Sequence, residues 1–162
     1  MKIKTKLLTL FVICWSLLSL SCNSTHNKND FNSVLSEILF EEDDSNKKLC
    51  LILFVSNEHM CSECLSKEIL NIKNDPWVEE NIIIMGVSSN KREFLSNFSS
   101  INPRKTIVVK NDNNKHIFAN QMMQYFLFDR EKKRIFHFFH PQPCDMSKTH
   151  EYFKSAKKLI EL

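Results

Sequence analysis

The stretch Leu49-Cys-Leu-Ile-Leu-Phe-Val55 decides how this chain of 162 residues folds, together with Cys61-Ser62-Glu63-Cys64, which follows it after five intervening residues. A continuous apolar run of this length is typical of a strand that is buried on both faces of a sheet. Leu65, Ile69 and Ile72 then recur at helical spacing, which predicts a helix that begins near Cys61. The two segments therefore predict a buried strand that leads into a helix with two cysteines at its start.

The remaining sequence extends this unit into an alternation of helices and strands. The predicted elements, in chain order, are a helix from Phe31, the strand 49–55, the helix from Cys61 to a break at Asn74-Asp75-Pro76, a strand over 81–87, a weak helix over 90–99, a strand over 106–109, hairpin strands over 125–128 and 134–140 around Asp129–Lys133, and a helix over 147–161. This order predicts an α/β fold with a mixed central sheet flanked by helices on both faces. We assign residues 31–162 to one domain, which is an ordinary domain length.

The N-terminus has the pattern of a secretory signal peptide, which we assign to residues 1–21. Three lysines precede an apolar run from Leu7 to Leu20, which is shorter than the roughly 20 residues that a membrane-spanning helix needs. Ser21 and Cys22 follow, and the sequence here resembles a bacterial lipoprotein signal, although Ser19 and Leu20 stand in swapped order relative to the usual pattern. That resemblance implies that Cys22 is lipidated. Ordinary cleavage near Ser21 and an uncleaved anchor are the alternatives.

The signal peptide and the polar segment after it predict where the domain works. Residues 22–30 form a polar stretch that we interpret as a flexible tether to the membrane. Each alternative places the domain outside the cytoplasm, on the periplasmic side of a bacterial membrane, where disulfides persist.

The charge balance argues against a nucleic-acid partner. The net charge of +3 comes from 22 basic and 19 acidic residues, and three lysines lie within residues 1–21, which contain no acid. The rest of the chain therefore has 19 of each sign, whereas nucleic-acid binding depends on clustered Lys and Arg. A single glycine also excludes a glycine-rich phosphate loop.

The Cys-x-x-Cys sequence at the start of a helix is the motif that points to chemistry. Two intervening residues bring both sulfurs within disulfide reach, and the unpaired N–H groups and dipole of the helix stabilise a thiolate on the first sulfur. Cys61 is then the expected nucleophile and Cys64 the resolving thiol. Glu63 disfavours the thiolate by repulsion, and a protonated His59 favours it, so the sequence leaves their balance open.

These residues resemble the thioredoxin superfamily, and within it the membrane-tethered thioredoxin-like lipoproteins of Bacteroidota. The resemblance spans about residues 49–161 and includes the hairpin sequence Phe-Leu-Phe-Asp-Arg-Glu-Lys-Lys-Arg-Ile. It implies a thioredoxin-like fold, with Cys61 and Cys64 as the redox pair of a thiol–disulfide oxidoreductase. It also implies no organic cofactor, and it implies partners that are protein thiols or disulfides or an upstream thiol reductase.

The chain departs from the family pattern in two places. The family has a tryptophan directly before the cysteines and often a proline between them, but here Asn57-Glu58-His59-Met60 precede the pair and Ser62-Glu63 separate it. The family's cis-proline is expected directly before the first hairpin strand, where this chain has Met122, Met123 and Gln124. Pro103, before the strand 106–109, is the alternative candidate. We favour the first alignment, in which residues 122–124 stand at the position of the cis-proline.

Other functions for the same residues stay open. His59, Met60, Cys61 and Cys64 form a compact soft ligand set that suits Cu(I), so a copper chaperone is one alternative. A thioredoxin-like scaffold whose cysteines form a structural disulfide is another.

Several further residues are expected to be structural. We expect Cys50 to be a core residue, Cys144 to be a free thiol and the pair Met122-Met123 to pack in the core. His137 and His140 are expected to point to different faces of a strand, so at most one of them could join a shared site.

Overall fold

The central feature of the computed structural model is one five-stranded sheet. The structure describes residues 26–42, 47–56, 61–109, 122–142 and 146–162, with side chains described from Phe31 onward except that of residue 42. In chain order the elements are α1 (His26–Glu42), β1 (Leu49–Ser56), α2 (Ser62–Lys73), α3 (Pro76–Asn81), β2 (Ile82–Val87), α4 (Lys91–Asn97), β3 (Lys105–Val109), β4 (Gln124–Asp129), β5 (Arg134–Phe139) and α5 (Met146–Ile160). The strand order is β3-β2-β1-β4-β5.

β1 lies at the centre of the sheet and pairs with a strand of each direction. It is parallel to β2, from Leu51 opposite Ile82 onward, and antiparallel to β4, with Phe54 opposite Gln124. The predicted hairpin is confirmed, because β4 and β5 pair antiparallel with one irregularity between Leu127 and Phe128. The sheet is therefore mixed, as the sequence predicts.

Helices cover both faces of this sheet, which confirms the predicted α/β class. Alternate side chains of a strand point to opposite faces, so the continuous apolar run of β1 supplies two cores. On one face α1 packs against Ile52 and Phe54, and on the other α2, α3, α4 and α5 pack against Leu51 and Leu53. The only glycine, Gly86, allows α4 to approach β2, because a Cβ there would collide with the ring of Phe94.

The structure differs from the sequence-based expectation around Pro76. The break at 74–76 is real, but a short helix, α3, follows it at once, with Pro76 in its first turn and Asp75 as its N-cap, bonded to the N–H of Val78 at 3.2 Å. A six-residue helix is too short to show helical periodicity, so the pattern did not reveal it. Similarly, α1 begins at His26, five residues before the apolar pattern starts at Phe31.

Within the described residues, no helix is both long and apolar enough to cross a membrane.

Candidate active site

The two cysteines lie at the start of α2, where the backbone geometry brings them together. Cys61 is the N-cap of the helix, with extended dihedral angles (φ −75°, ψ 115°). The N–H of Cys64, one of the first-turn groups that has no partner within the helix, donates to Sγ of Cys61 at 3.4 Å. The predicted placement of the pair at a helix start is thus confirmed, and the sulfur of Cys61 acts as the cap that is usually an oxygen.

The two thiols differ in exposure and in acidity. Cys61 is exposed and Cys64 half-buried, and both are free thiols. A hydrogen bond from the Cys64 thiol, followed by the bond from its backbone N–H, holds the pKa of Cys61 below its usual value. The same thiol–thiol bond and burial raise the pKa of Cys64. The more accessible sulfur is therefore the one that ionises more readily, which is the asymmetry that a nucleophile and a resolving thiol require.

Glu63, which stands between the cysteines, has only a small effect on them. Its carboxylate is exposed and forms an ion pair with Nζ of Lys67 at 2.8 Å, one helical turn away, and this pair lowers the pKa of Glu63. The repulsion that Glu63 exerts on Cys61 is the smallest of the influences on the pKa of that thiol. Groups within the helix turn itself favour the Cys61 thiolate, whereas His59, the other residue in the balance that the sequence left open, lies outside the described residues.

Two methionines precede β4 on the side of the sheet where β1 ends. Because Phe54 pairs with Gln124, residues 122 and 123 lie beside the last residues of β1, from which the chain leads to α2. Pro103 instead precedes β3, the outer strand beside β2, so the first alignment places a methionine where the family resemblance predicts a proline. No peptide bond is cis among the residues that the structure describes. Met123 packs against the core as expected, but Met122 is 68% exposed, so the expectation of core packing is wrong for that residue.

A buried carboxylate on the same helix was not predicted from the sequence. The side chain of Glu68 lies on the inward face of α2 and is 2% exposed. The hydroxyl of Tyr125 donates to its Oε2 at 2.8 Å, and Nδ2 of Asn71 donates to its Oε1 at 3.3 Å. Burial raises the pKa of Glu68, and the two hydrogen bonds oppose that rise. The spacing of Glu68 from Leu65, Ile69 and Ile72 places it on the apolar face of the helix, and this was the signal available in the sequence.

The arrangement of the sheet identifies the fold. The parallel pair β1–β2 flanked by the antiparallel pair β4–β5, with α2 starting after the central strand and carrying the cysteine pair, matches the family architecture that the sequence resembles. The fold is thioredoxin-like.

Three solved structures are similar in structure to this thioredoxin-like chain. A protein provisionally assigned as the thiol:disulfide interchange protein DsbE of Chlorobium tepidum matches with 11% identity and a TM-score of 0.46, over 68% of this chain and 80% of that one. A protein provisionally assigned as a thiol-disulfide oxidoreductase of Bacteroides vulgatus matches with 18% identity and a TM-score of 0.45, over 70% and 76%. The mitochondrial 2-Cys peroxiredoxin of Plasmodium falciparum matches with 17% identity and a TM-score of 0.38, over 70% and 76%. No protein-family model and no curated protein sequence matches the chain.

Among the described residues, the others singled out in the sequence do not form a metal-binding group with the cysteines. Cys50 is buried in the core, as expected. His137 stacks on Tyr152 with ring centroids 5.6 Å apart, and His140 is an exposed residue whose ring lies beside that of Phe138. Within the described ranges, no three His, Cys, Asp or Glu side chains are grouped so that they could hold a metal ion. The remaining predicted residues lie outside the described residues: Cys22, His59, Met60 and Cys144.

Proposed function

We propose that this chain is a membrane-tethered thiol–disulfide oxidoreductase that works outside the cytoplasm, with Cys61 as its nucleophile and Cys64 as its resolving thiol. The observation that carries the proposal is the exposed Cys61 sulfur at the N-cap of α2, which accepts a backbone hydrogen bond at 3.4 Å. That bond and the thiol of Cys64 favour the thiolate, which is the form of cysteine that attacks a disulfide.

The reaction needs only these two thiols and a partner disulfide. The Cys61 thiolate attacks one sulfur of the partner, the partner's S–S bond breaks, and its second sulfur leaves as a thiolate. The Cys64 thiol loses its proton and attacks Sγ of Cys61, so that a Cys61–Cys64 disulfide forms and the first partner sulfur is released. The partner gains two electrons and the chain loses two. An upstream thiol reductase of the same chemistry returns them, so no organic cofactor takes part.

The reduction potential of the Cys61–Cys64 pair tests the redox assignment. We expect a reversible two-electron couple between about −120 and −270 mV, the span of dedicated exchange proteins. A couple below about −300 mV would mark a structural disulfide and overturn the proposal. Cys61→Ser is the matched control, since it removes the nucleophile and should abolish exchange while leaving the half-buried Cys64 in place.

The physiological partners can be identified by trapping the mixed disulfides that this reaction forms. Cys64→Ser removes the resolving thiol, so mixed disulfides between Cys61 and its partners should accumulate in the cells that make the protein. Proteins that are released from the variant by a reductant, and that are absent from the Cys61→Ser control, are the partners.

The membrane tether is tested at Cys22. We propose that a lipid on Cys22 holds the mature chain at the membrane and that the polar residues 23–30 separate the domain from its surface. Metabolic labelling with a fatty-acid analogue should label the wild-type chain and not Cys22→Ser. A labelled Cys22→Ser chain, or an unlabelled wild-type chain, would exclude lipidation at this residue.

A further inference from the structure

The edge strand β5 carries an aromatic strip, which we define as Phe136, Phe138 and His140. Phe136 is 49% exposed and Phe138 61% exposed, and the exposed ring of His140 lies beside that of Phe138 with centroids 5.6 Å apart. Among the described strands, β5 pairs only with β4, and residues 135–140 include no lysine, arginine, aspartate or glutamate. Edge strands usually carry charged side chains that prevent association, so an uncharged aromatic edge indicates a contact surface.

The aromatic strip lies beside the N-terminal half of α1. Phe138 pairs with Phe126 across the ladder, and cross-strand partners lie on the same face of a sheet. The ring of Phe126 contacts that of Phe31 in α1, with centroids 6.2 Å apart. The ring of Phe31 also lies 6.4 Å from that of Phe54, near the end of β1 that leads to Cys61. The first part of α1 is therefore close both to the strip and to the end of the sheet where the cysteines stand.

The last part of α1 lies at the opposite end of the sheet. Nη2 of Arg130 donates to the carbonyl of Leu39 at 3.4 Å, and the guanidinium of Arg130 lies 5.2 Å from the centre of the Phe40 ring. The backbone N–H of Arg130 donates to the carbonyl of Lys48, which directly precedes β1. The helix α1 therefore runs from the end of the sheet near the cysteines to the end where β1 begins.

This direction places the proposed lipid at the same end as the aromatic strip. The helix α1 begins at His26, four residues after Cys22, and four residues span at most about 14 Å. The helical residues from His26 to Phe31 add about 7.5 Å. A lipid on Cys22 therefore holds Phe31, and with it the strip, within roughly 20 Å of the bilayer.

Charged side chains are concentrated at the other end of β5. Lys132, Lys133 and Arg134 are exposed at the β4–β5 turn, where Nζ of Lys48 also forms an ion pair with Glu131 at 2.8 Å. Segments that lie in a membrane interface bury apolar and aromatic side chains at the boundary between headgroups and acyl chains. The distribution of charge along β5 therefore favours contact of the strip, rather than of the turn, with this boundary.

We propose that the aromatic strip docks on the lipid bilayer beside the anchored N-terminus. This inference rests on the proposed lipid at Cys22, which brings the strip within reach of the membrane, and it adds a second contact that fixes the orientation of the domain. In this orientation the end of β1 that leads to Cys61 is on the membrane side, and the charged β4–β5 turn is on the water side.

Tryptophan fluorescence on vesicles of phosphatidylcholine with brominated acyl chains tests the docking. The lipidated chain is isolated from the membranes of the cells that make it and is reconstituted into these vesicles and into matched vesicles without bromine. Trp15 and Trp77, the two tryptophans of the chain, are first replaced by Phe. A single indole is then introduced by Phe138→Trp. Phe40→Trp is the matched control, since Phe40 is 53% exposed but lies near the opposite end of the sheet.

We expect the indole at position 138 to enter the boundary between headgroups and acyl chains by about 5–10 Å, and therefore to lose emission on the brominated vesicles. The indole at position 40 should keep its emission on both kinds of vesicle. Added salt should leave the quenching at position 138 unchanged, because the contact is apolar and phosphatidylcholine has no net charge.

The outcomes separate the docking from the tether. A chain that does not remain with the vesicles on flotation overturns both. If the chain remains bound but the indole at position 138 is quenched no more than that at position 40, the docking alone is overturned. Quenching at position 40 only would assign the membrane contact to the charged turn. A blue shift at position 138 without quenching would mean that protein, such as a second copy of the chain, covers the strip, and would also overturn the proposal.

Discussion

The first turn of α2 and the turns that follow it are parts of one continuous helix with opposite environments. At the start, Cys61, Ser62 and Glu63 are exposed, and from Leu65 onward the inward face is packed against the sheet and α5. The two glutamates show the difference most clearly. The hydrogen bond and ion pair with Lys67 lower the pKa of Glu63, while burial raises that of Glu68.

The comparison teaches that position along the helix determines what a side chain can do. Groups in the first turn adjust reactivity with little consequence for stability, because water surrounds them. Groups on the inward face contribute to stability, and a titratable group among them acquires an altered affinity for protons. A single helix therefore carries both an exposed thiol with a lowered pKa and a buried carboxylate with a raised pKa.

The largest expected effect is on packing at the buried side. Ile72 is fully buried between α2 and the sheet, so Ile72→Ala should lower the free energy of unfolding by about 2–5 kcal/mol. Leu70→Ala, on the same helix but 48% exposed, should change it by no more than about 0.5 kcal/mol. Urea denaturation followed by circular dichroism measures both. Equal losses of unfolding free energy in the two variants would contradict the assignment of Ile72 to the buried face and Leu70 to the exposed face of α2.

The two glutamates should give opposite pH dependences of stability. The folded-state pKa of Glu68 is raised, so the folded state holds its proton more tightly than the unfolded state. The stabilisation from this group is complete below the unfolded pKa and is lost as the pH rises through the folded pKa, with a slope of at most about 1.4 kcal/mol per pH unit. The lowered pKa of Glu63 works the other way: its contribution is present above the unfolded pKa and is lost as the pH falls through the folded pKa.

Urea midpoints measured from pH 3 to pH 8 test this contrast. Relative to wild type, Glu68→Gln should gain stability as the pH rises, and Glu63→Gln should lose a small amount. The same sign of slope for both variants would contradict the assigned environments.

A smaller effect is expected on the acidity of the Cys61 thiol. The thiol of Cys64 is the first cause of the lowered pKa of Cys61, so Cys64→Ala should move the pH midpoint of Cys61 alkylation upward. Iodoacetamide rates between pH 5 and pH 10, with the modified residue identified by mass spectrometry, measure the midpoint. An unchanged midpoint would mean that the helix turn alone controls the acidity of Cys61.

The smallest effect is expected at Glu63. Because Glu63 repels the Cys61 thiolate only weakly, Glu63→Gln should lower the Cys61 alkylation midpoint by much less than Cys64→Ala raises it. A shift larger than that of Cys64→Ala would mean that Glu63 affects the pKa of Cys61 more strongly than Cys64 does, contrary to our assignment.

Local patterns were enough to predict most of the fold. The apolar run 49–55 became β1, the two segments that flank Asp129–Lys133 became the β4–β5 hairpin, and the periodicity after Cys61 became α2. Each of these elements is specified by neighbouring residues, because burial on two faces, turn chemistry and a 3.6-residue period are properties of short segments. The helix α3 was not predicted, since its six residues are too few to show a period.

In the candidate site, too, some features could be predicted from the sequence and others could not. The sequence alone determined that two cysteines stand at the start of a helix behind a buried strand, because spacing and element boundaries are local properties. The spacing of Glu68 put it on the apolar face of α2, but only the tertiary structure decided its hydrogen-bond partner, since Tyr125, which donates to it, lies 57 positions away. Only the strand register showed that Met123, and not Pro103, stands beside the end of β1. Side chains that are distant in sequence set burial and hydrogen bonding, and these in turn set proton affinity, so no local pattern could contain that information.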